Sequence, residues 1–158
     1  MGVPQRILLL LLLLAAPLGA LADFEAGVAA ARAEDYPAAL REWQPLAENG
    51  HRDAQFNLGL LYEHGLGVAR DDAEALRWYR RAAQTGDAAA QYNVGLFYAM
   101  GRGVAPNDVQ AYAWLSVAME NGAEPTRLLD LLKKNMSAQS LAQGMRLVDD
   151  VRGQCKLP

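Results

Sequence analysis

The chain has 158 residues, of which 52% are hydrophobic and 21% charged, and its formal net charge at pH 7 is −3. This length fits one domain after a short leader. The mild acidity and the absence of a block of basic residues argue against nucleic-acid binding through phosphate neutralisation.

Residues 1–22 have the pattern of a secretory signal peptide. Arg6 is the only charged residue, residues 7–16 are an apolar run, and an A-x-A cleavage site ends at Ala22. An uncleaved membrane anchor is the alternative, but the run is shorter than the ~20 apolar residues that a span needs. We expect cleavage after Ala22 and a periplasmic or secreted protein that begins at Asp23.

Residues 23–50 are expected to form an atypical N-terminal helix pair. A second helix should start at Pro37, because the fixed φ of proline suits the first turn. The buried stripe of this helix is predicted to be Ala39, Trp43 and Leu46. The pair lacks the glycine loop found later in the chain, as expected of a terminal repeat that caps a stack.

The central part of the chain repeats with a period of 36 residues. Residues 54–62, AQFNLGLLY, return at residues 90–98 as AQYNVGLFY. A fixed period of this length is typical of a repeat array, so residues 54–86 and 90–122 are predicted to be two copies of one unit. The matched positions are Gly59 and Gly95, Tyr62 and Tyr98, Gly65 and Gly101, Gly67 and Gly103, Asp72 and Asp108, Trp78 and Trp114, and Gly86 and Gly122.

Each copy has the pattern of two helices joined by a glycine loop. Gly59 and Gly95 interrupt the first helix of their copy, which predicts close approach of a neighbouring helix, under a tryptophan ring. The glycines of residues 65–67 and 101–103 supply positive φ values that end this helix. The recurring Trp78, Trp114, Tyr62 and Tyr98 are predicted to be core residues.

The second helix of each copy has a clear start signal. Asp71 and Asn107 are predicted N-caps, each with Glu or Gln three residues later. Asp72 and Asp108 then fall in the first turn, where the helix dipole favours a negative charge. Asp71 and Asp72 are therefore interpreted as capping residues and not as a pair of catalytic carboxylates.

The pattern A-x-x-x-L/V-G-x-x-Y-x-x-G-x-G-V-x-x-x-D-x-x-A-x-x-W-x-x-x-A-x-x-x-G resembles the SEL-like repeat (SLR), a tetratricopeptide-related α/α repeat. The resemblance covers residues 54–122. It implies an all-α solenoid of antiparallel helix pairs that serves as a protein–protein interaction scaffold. It implies no catalytic residues, and together with the compact size it suggests a bacterial protein of the cell envelope.

The resemblance also points to candidate partner-binding residues, because the first helix of each pair lines the concave face in tetratricopeptide-like solenoids. These candidates are Gln55, Phe56, Asn57, Gln91, Tyr92 and Asn93. Asn57 and Asn93 recur at the repeat period, so they could contact a partner or could hydrogen-bond between helices. The sequence leaves both roles open.

Residues 123–152 are predicted to be C-terminal capping helices. One helix should begin at Pro125 and end near Lys134, with an apolar face of Leu128, Leu129, Leu131 and Leu132. Ser137 is the predicted N-cap of a last helix, whose buried stripe would be Leu141, Met145 and Val148. Residues 152–158 are predicted to be a frayed tail.

Few residues suggest chemistry. Cys155 is the only cysteine, so in an oxidising compartment it is a free thiol or forms a disulfide-linked homodimer. His51 and His64 lack the spacing of a metal site, and no cofactor motif is present. The basic side chains of Arg77, Arg80 and Arg81 are expected on a solvated helix face.

The function predicted from the sequence is a non-catalytic scaffold or adaptor that binds another protein or peptide. One alternative is a β-lactam-binding or hydrolase-like envelope enzyme, since some cysteine-rich secreted relatives of this repeat are associated with β-lactam binding. Those relatives carry paired cysteines in each repeat, which this chain lacks. Another alternative is a structural subunit of an envelope assembly.

Overall fold

The computed structural model describes residues 23–155, which form eight α-helices joined by short loops. The helices are α1 Phe24–Arg32, α2 Tyr36–Glu48, α3 Arg52–His64, α4 Asp72–Gln84, α5 Ala88–Met100, α6 Asp108–Glu120, α7 Thr126–Asn135 and α8 Ala138–Gln154. Among these helices, none combines the length and the apolar character needed to span a bilayer. The predicted signal peptide, residues 1–22, lies outside the described residues.

The helices pack in chain order, each against the next, from α1 to α6. At the C-terminal end α8, and to a lesser extent α7, packs along α6. The result is an all-α solenoid of three helix pairs closed by two capping helices, and this confirms the predicted fold class.

The core is divided into two clusters along the stack. The first joins α2, α3 and α4 and includes Trp43 and Trp78; the second runs from α4 to α8 and includes Trp114. Trp78 and Trp114 are 1% and 2% exposed, as predicted for core residues. The half-buried Tyr62 packs against both clusters, so the core is continuous along the stack.

Short polar side chains begin the helices as the sequence predicts. Asp71 accepts hydrogen bonds from the backbone N–H groups of Ala73 and Glu74, at 2.9 and 3.0 Å. Asn107 and Ser137 make equivalent caps on α6 and α8. Each cap satisfies donors at a helix start that have no partner within the helix.

Glycines within the first helix of each pair let a bulky side chain from the second helix approach closely. A Cβ atom on Gly59 would lie 2.5 Å from the Tyr79 ring, and one on Gly95 would lie 2.6 Å from Leu115. The expected close approach is therefore present, but the prediction of a tryptophan ring over these two glycines is wrong. A tryptophan ring does lie against a helical glycine at Gly27, which faces the indole of Trp43.

The first glycine of each loop ends the helix before it, as the sequence predicts. Gly65 and Gly101 follow α3 and α5 directly, and their φ values of 67° and 68° lie in the left-handed region. Their backbone N–H groups donate to the carbonyl oxygens of Leu61 and Phe97, which satisfies an acceptor in the last turn of each helix. Both glycines are therefore C-terminal caps.

The second glycine of each loop connects one pair to the pair before it. Gly67 and Gly103 have φ values of 70° and 63°, which glycine adopts without strain. Gly67 lies against the backbone where α2 begins, and Gly103 lies against the backbone where α4 begins. This second glycine thus sets the stacking of successive repeats as well as the turn.

The C-terminal helices differ from the prediction in three respects. Leu131, expected on the apolar face of α7, is 54% exposed. Val148 is buried as predicted, but Met145 is 58% exposed, and the buried stripe of α8 is completed by Gly144 and Val151. The cause is Gly144, which lies against the ring of Tyr112 and turns this face toward α6. The frayed tail is also wrong for residues 152–154, which are helical; residues 156–158 lie outside the described part.

Candidate functional site

An open groove of about 440 Å³ lies between α1 and α3, with α2 beneath it. Trp43 and Leu61, 4% and 3% exposed, form its floor. The apolar walls are Val28, Ala31, Leu60 and Leu66, and the polar lining residues are Arg32, Tyr36 and Asn57. The groove is therefore a mostly apolar surface with three polar groups.

Local packing shapes this groove. Gly27 lets α1 approach Trp43, whose indole Nε1 donates a hydrogen bond of 3.2 Å to the carbonyl oxygen of Phe24. Gly67 holds its loop against the start of α2, and this contact brings Leu66 to the edge of the groove. Both glycines are needed because a Cβ atom at either position would overlap a neighbouring group.

The same arrangement recurs one repeat later, between α3 and α5. The second helices and the loops align at the 36-residue period, and α1 aligns with α3 when Gly27 is matched to Gly59. The groove residues then correspond as Ala31/Glu63, Tyr36/Asp72, Trp43/Tyr79, Asn57/Asn93 and Leu66/Arg102. The second position therefore differs from the first mainly in charge.

The matching position between α3 and α5 is filled by the side chain of Arg102. The Arg102 guanidinium binds Glu63 at 2.6 Å and Asp72 at 2.9 Å, and it lies 4.3 Å from the centroid of the Phe97 ring. The Tyr79 hydroxyl donates a hydrogen bond of 2.6 Å to the other oxygen of Glu63. Arg102 thus links α3, α4 and the loop after α5.

The network around Arg102 shifts the pKa values of Asp72 and Tyr79. The guanidinium of Arg102, and next that of Arg70, holds the pKa of Asp72 well below its usual range. Burial and the Glu63 carboxylate raise the pKa of the Tyr79 phenol above its usual range. At neutral pH Asp72 therefore stays ionised and Tyr79 stays neutral, and with Arg102 they hold α3, α4 and the loop after α5 together.

The open groove has a simpler charge pattern. Among the described residues, Arg32 is the only charged one that lines it, and no carboxylate does. Within residues 23–155, no ion pair involves Arg32. The groove thus combines an apolar floor with one cation that has no carboxylate partner in the described part of the chain.

The six candidate partner-binding residues do not share one environment. The buried amides of Gln55 and Gln91 donate to the carbonyl oxygens of Ala47 and Ala83, at 3.0 and 3.1 Å. The prediction that Gln55 and Gln91 contact a partner is therefore corrected. Their side chains instead connect the start of one helix pair to the end of the previous pair. The other four stay predictions.

Those four residues are all half-buried but differ in what they contact. The ring centroid of Phe56 lies 5.5 Å from that of Tyr79, and Tyr92 packs against the second core cluster. Asn93 lies beside the Tyr79 hydroxyl, where it makes a minor contribution to lowering the tyrosine pKa. Asn57 alone lines the open groove, so it is the candidate best placed to contact a partner.

Sequence reasoning missed Gly27, Leu66 and Arg102. A signal for Gly27 exists, because Trp43, Tyr79 and Leu115 are spaced by 36 residues and each faces a glycine. The signal for Arg102 is its departure from the repeat, since Leu66 occupies the matched position. A residue that breaks the period points to a contact specific to one copy.

The other residues considered for a chemical role either support the fold or lie on its surface. His51 caps α3 by accepting a hydrogen bond from the backbone of Ala54, and its ring stacks on Phe24 at 4.8 Å. Arg77, Arg80 and Arg81 are exposed on α4. No group of His, Cys, Asp and Glu within residues 23–155 is arranged to hold a metal ion.

Cys155 lies at the end of α8 and not in a mobile tail. It is half-buried against the second core cluster, and burial raises the pKa of its thiol. Both features disfavour the reactive thiolate. A disulfide to a second chain would therefore require local movement at the end of α8.

Comparisons with known proteins agree with this architecture. The Sel1 repeat family model matches residues 52–87 and 88–122. A solved protective antigen of uropathogenic Escherichia coli strains with an SLR fold is similar, with 32% identity and a TM-score of 0.76 over 81% of this chain and 28% of the antigen. A solved Sel1 repeat protein from Oxalobacter formigenes is also similar, with 35% identity and a TM-score of 0.57. The match covers 61% of this chain and 39% of that protein.

The chain thus spans only about a third of the length of these solved proteins. Comparison with curated proteins gives no match.

Proposed function

Because the chain is a Sel1-like repeat protein, we propose that it is a non-catalytic scaffold that binds another protein. Sel1 repeats generally mediate contacts between proteins. The signature residues of this chain have packing and turn roles: Gly59 and Gly103 allow close approach, and Trp78 is buried. These roles support a scaffold.

The observation that carries the proposal is the open groove between α1 and α3. The protein fills the matching position one repeat later with Arg102, yet it leaves this groove unfilled among the described residues. Exposed apolar surface that is not required for packing is typical of an interaction site. Partner binding would cover Leu60, Leu66 and the edge of Trp43.

The test is a cross-linked pull-down of the protein from its own cells with Asn57→Arg and Asn135→Arg variants. Arginine at position 57 would obstruct the groove, whereas Asn135 is exposed at the end of α7 and serves as the matched control. We expect a stoichiometric partner with the unchanged and control proteins and its loss with Asn57→Arg. Equal recovery with all three would remove the groove from the proposal.

We further propose that the protein acts in the bacterial cell envelope, as a periplasmic or secreted protein cleaved after Ala22. The support is the charge and hydropathy pattern of residues 1–22. The intact mass of the protein from the periplasmic or extracellular fraction should correspond to a chain that begins at Asp23. Residues 1–22 still attached in that fraction, or protein found only in the cytoplasm, would contradict it.

A further inference from the structure

We propose that the open groove between α1 and α3 binds an extended peptide segment in which an apolar side chain lies next to an aspartate or glutamate. This inference rests on the proposed scaffold function and specifies the chemistry of the partner. The apolar side chain would lie on the floor of the groove, and the carboxylate would bind Arg32.

The lining of the groove favours an apolar side chain. Trp43 and Leu61 form the floor, and Leu60 and Leu66 stand at the side. Burial of an apolar side chain here removes apolar surface from water on both partners, the main favourable term in most protein association. Asn57 lies at the same surface and offers an amide donor and acceptor to the backbone of an extended chain.

The charge of the groove favours a neighbouring carboxylate. Arg32 is its only charged lining residue and makes no ion pair within residues 23–155. A planar guanidinium suits recognition of a carboxylate. Because Arg32 is exposed, the carboxylate should contribute about 2- to 5-fold in affinity, the range of a solvent-exposed ion pair.

The filled position between α3 and α5 shows which ligands the open groove should reject. There, Glu63 and Asp72 hold a guanidinium, that of Arg102. In the open groove the matching residues are Ala31 and Tyr36, so no carboxylate from residues 23–155 lines it to hold a lysine or arginine side chain. A segment with a basic residue next to its apolar side chain would also be repelled by Arg32.

The experiment uses three peptides blocked at both ends, acetyl-Gly-Leu-Phe-X-Gly-amide with X as Glu, Gln or Lys. Each is titrated into protein purified after expression of the full chain, and the Trp43 indole N–H resonance reports binding. We expect the Glu peptide to bind about 2- to 5-fold more tightly than the Gln peptide and the Lys peptide most weakly. The preference for Glu should shrink at high salt, since the ion pair is exposed.

Two variants test the two parts of the site. Arg32→Ala should abolish the difference between the Glu and Gln peptides, whereas Arg41→Ala, on the exposed surface of α2 and outside the groove lining, should preserve it. The double variant Ala31→Glu with Leu66→Arg reproduces the pair made by Glu63 and Arg102. It should fill the groove with the protein's own side chain and abolish binding of every peptide, with the circular dichroism of the helices retained.

Equal affinity for the Glu and Gln peptides, or a preference that survives Arg32→Ala, would overturn carboxylate recognition. No shift of the Trp43 resonance with any peptide at millimolar concentration would overturn the whole inference. Neither result decides the scaffold function, which the pull-down tests with its own partner. If the double variant does not fold, Arg32→Ala alone still decides the carboxylate part.

Discussion

Gly67 and Gly103 combine two demands that no other residue type meets at these positions. Each has a positive φ, and each leaves no room for a Cβ atom beside the backbone of the preceding helix pair. Gly86 and Gly122 meet only the first demand, because open space surrounds them. Substitutions at these two kinds of glycine therefore measure separately the cost of a positive φ and the added cost of steric overlap.

We predict that Gly103→Ala lowers the free energy of unfolding by about 3 kcal/mol or more, because strain at positive φ adds to overlap with the backbone of Asp72 and Ala73. Gly86→Ala should cost about 1 kcal/mol, the cost of a side chain in the left-handed region alone. Urea unfolding followed by circular dichroism measures both. Equal losses would mean that the stacking contact at Gly103 adds nothing.

Gln55 and Gln91 offer a second matched pair. Both donate to the end of the preceding helix, but only the Gln91 oxygen has a partner, the Asn121 amide at 2.9 Å. The Gln55 oxygen is buried without a partner among the described residues, and Thr85 occupies the position that matches Asn121. One copy of the repeat therefore lacks a hydrogen bond that the other copy makes.

We predict that Thr85→Asn raises the free energy of unfolding by about 0.5–1 kcal/mol, by supplying the missing donor to Gln55. The reverse change, Asn121→Thr, should lower it by about 1–2 kcal/mol and leave the Gln91 oxygen unpaired. Thermal unfolding of the two variants beside the unchanged protein provides the comparison. A loss of stability in Thr85→Asn would show that the Thr85 hydroxyl bond to Ala82 matters more.

At the scale of the element, ion pairs of Arg102 hold α3, α4 and the loop after α5 together, whereas the matching position one repeat earlier carries the apolar Leu66. Glu63, Asp72 and Arg102 are each about one-fifth exposed or less, so their ion pairs are partly shielded from water. Because the folded pKa of Asp72 lies below its unfolded value, its stabilisation is complete above about pH 4. It declines as the pH falls toward the folded pKa, since protonation then favours the unfolded chain.

We predict that Arg102→Leu, which copies Leu66, lowers the free energy of unfolding by about 1–3 kcal/mol at pH 7, because two partly buried carboxylates lose their partner. Below pH 4 the difference between variant and parent should narrow, since Asp72 then binds a proton in the unfolded chain while it stays ionised in the folded parent, which lowers the stability of the parent. Urea unfolding between pH 2.5 and 7 measures this. A constant difference across that range would exclude Asp72 as the titrating group.

The sequence predicted the elements with local signals better than the contacts that depend on the whole fold. The caps at Asp71, Asn107 and Ser137 were predictable because a cap involves residues only a few positions apart. The buried stripe of α8 was not, because Gly144 packs on Tyr112 from a distant part of the chain.

The candidate site shows the same limit. Their place on the first helix of each pair suggested Gln55 and Gln91 as contacts, yet both recur at the repeat period, as residues that bond one repeat to the next also do. The open groove depends on differences between copies, such as Leu66 against Arg102. Whether such a difference opens or fills a groove depends on where α1, α3 and α5 lie in space.

At the scale of the whole molecule, the stack has a centre and two ends. Helices α2 to α6 each have neighbours on both sides, and α4 to α6 lie farthest from the exposed ends of the stack, whereas α1 packs mainly on α2 and α7 has few contacts. In repeat proteins stability is approximately a sum of repeat and interface terms, so the ends should open more readily than the centre.

We predict that amide hydrogen exchange is slowest in α4, α5 and α6 and fastest in α1 and α7, because exchange follows local opening. Mass spectrometry of peptides from protein exchanged under native conditions resolves these helices. A peptide that binds the open groove should slow exchange in α1 specifically. Uniform protection along the chain would indicate that the stack opens as a single cooperative unit.

The seating of each glycine loop on the pair before it has a consequence for how such a chain can lengthen during evolution. Residues 52–87 carry both the loop and the helix start that receives the next loop, so a tandem duplication of this segment preserves the contact between each loop glycine and the helix start before it. The inserted copy would, however, place Leu66 where Arg102 now neutralises Glu63 and Asp72. A chain lengthened in this way would therefore need a basic residue between the two glycines of the new loop, to pair with the Glu63 and Asp72 carboxylates.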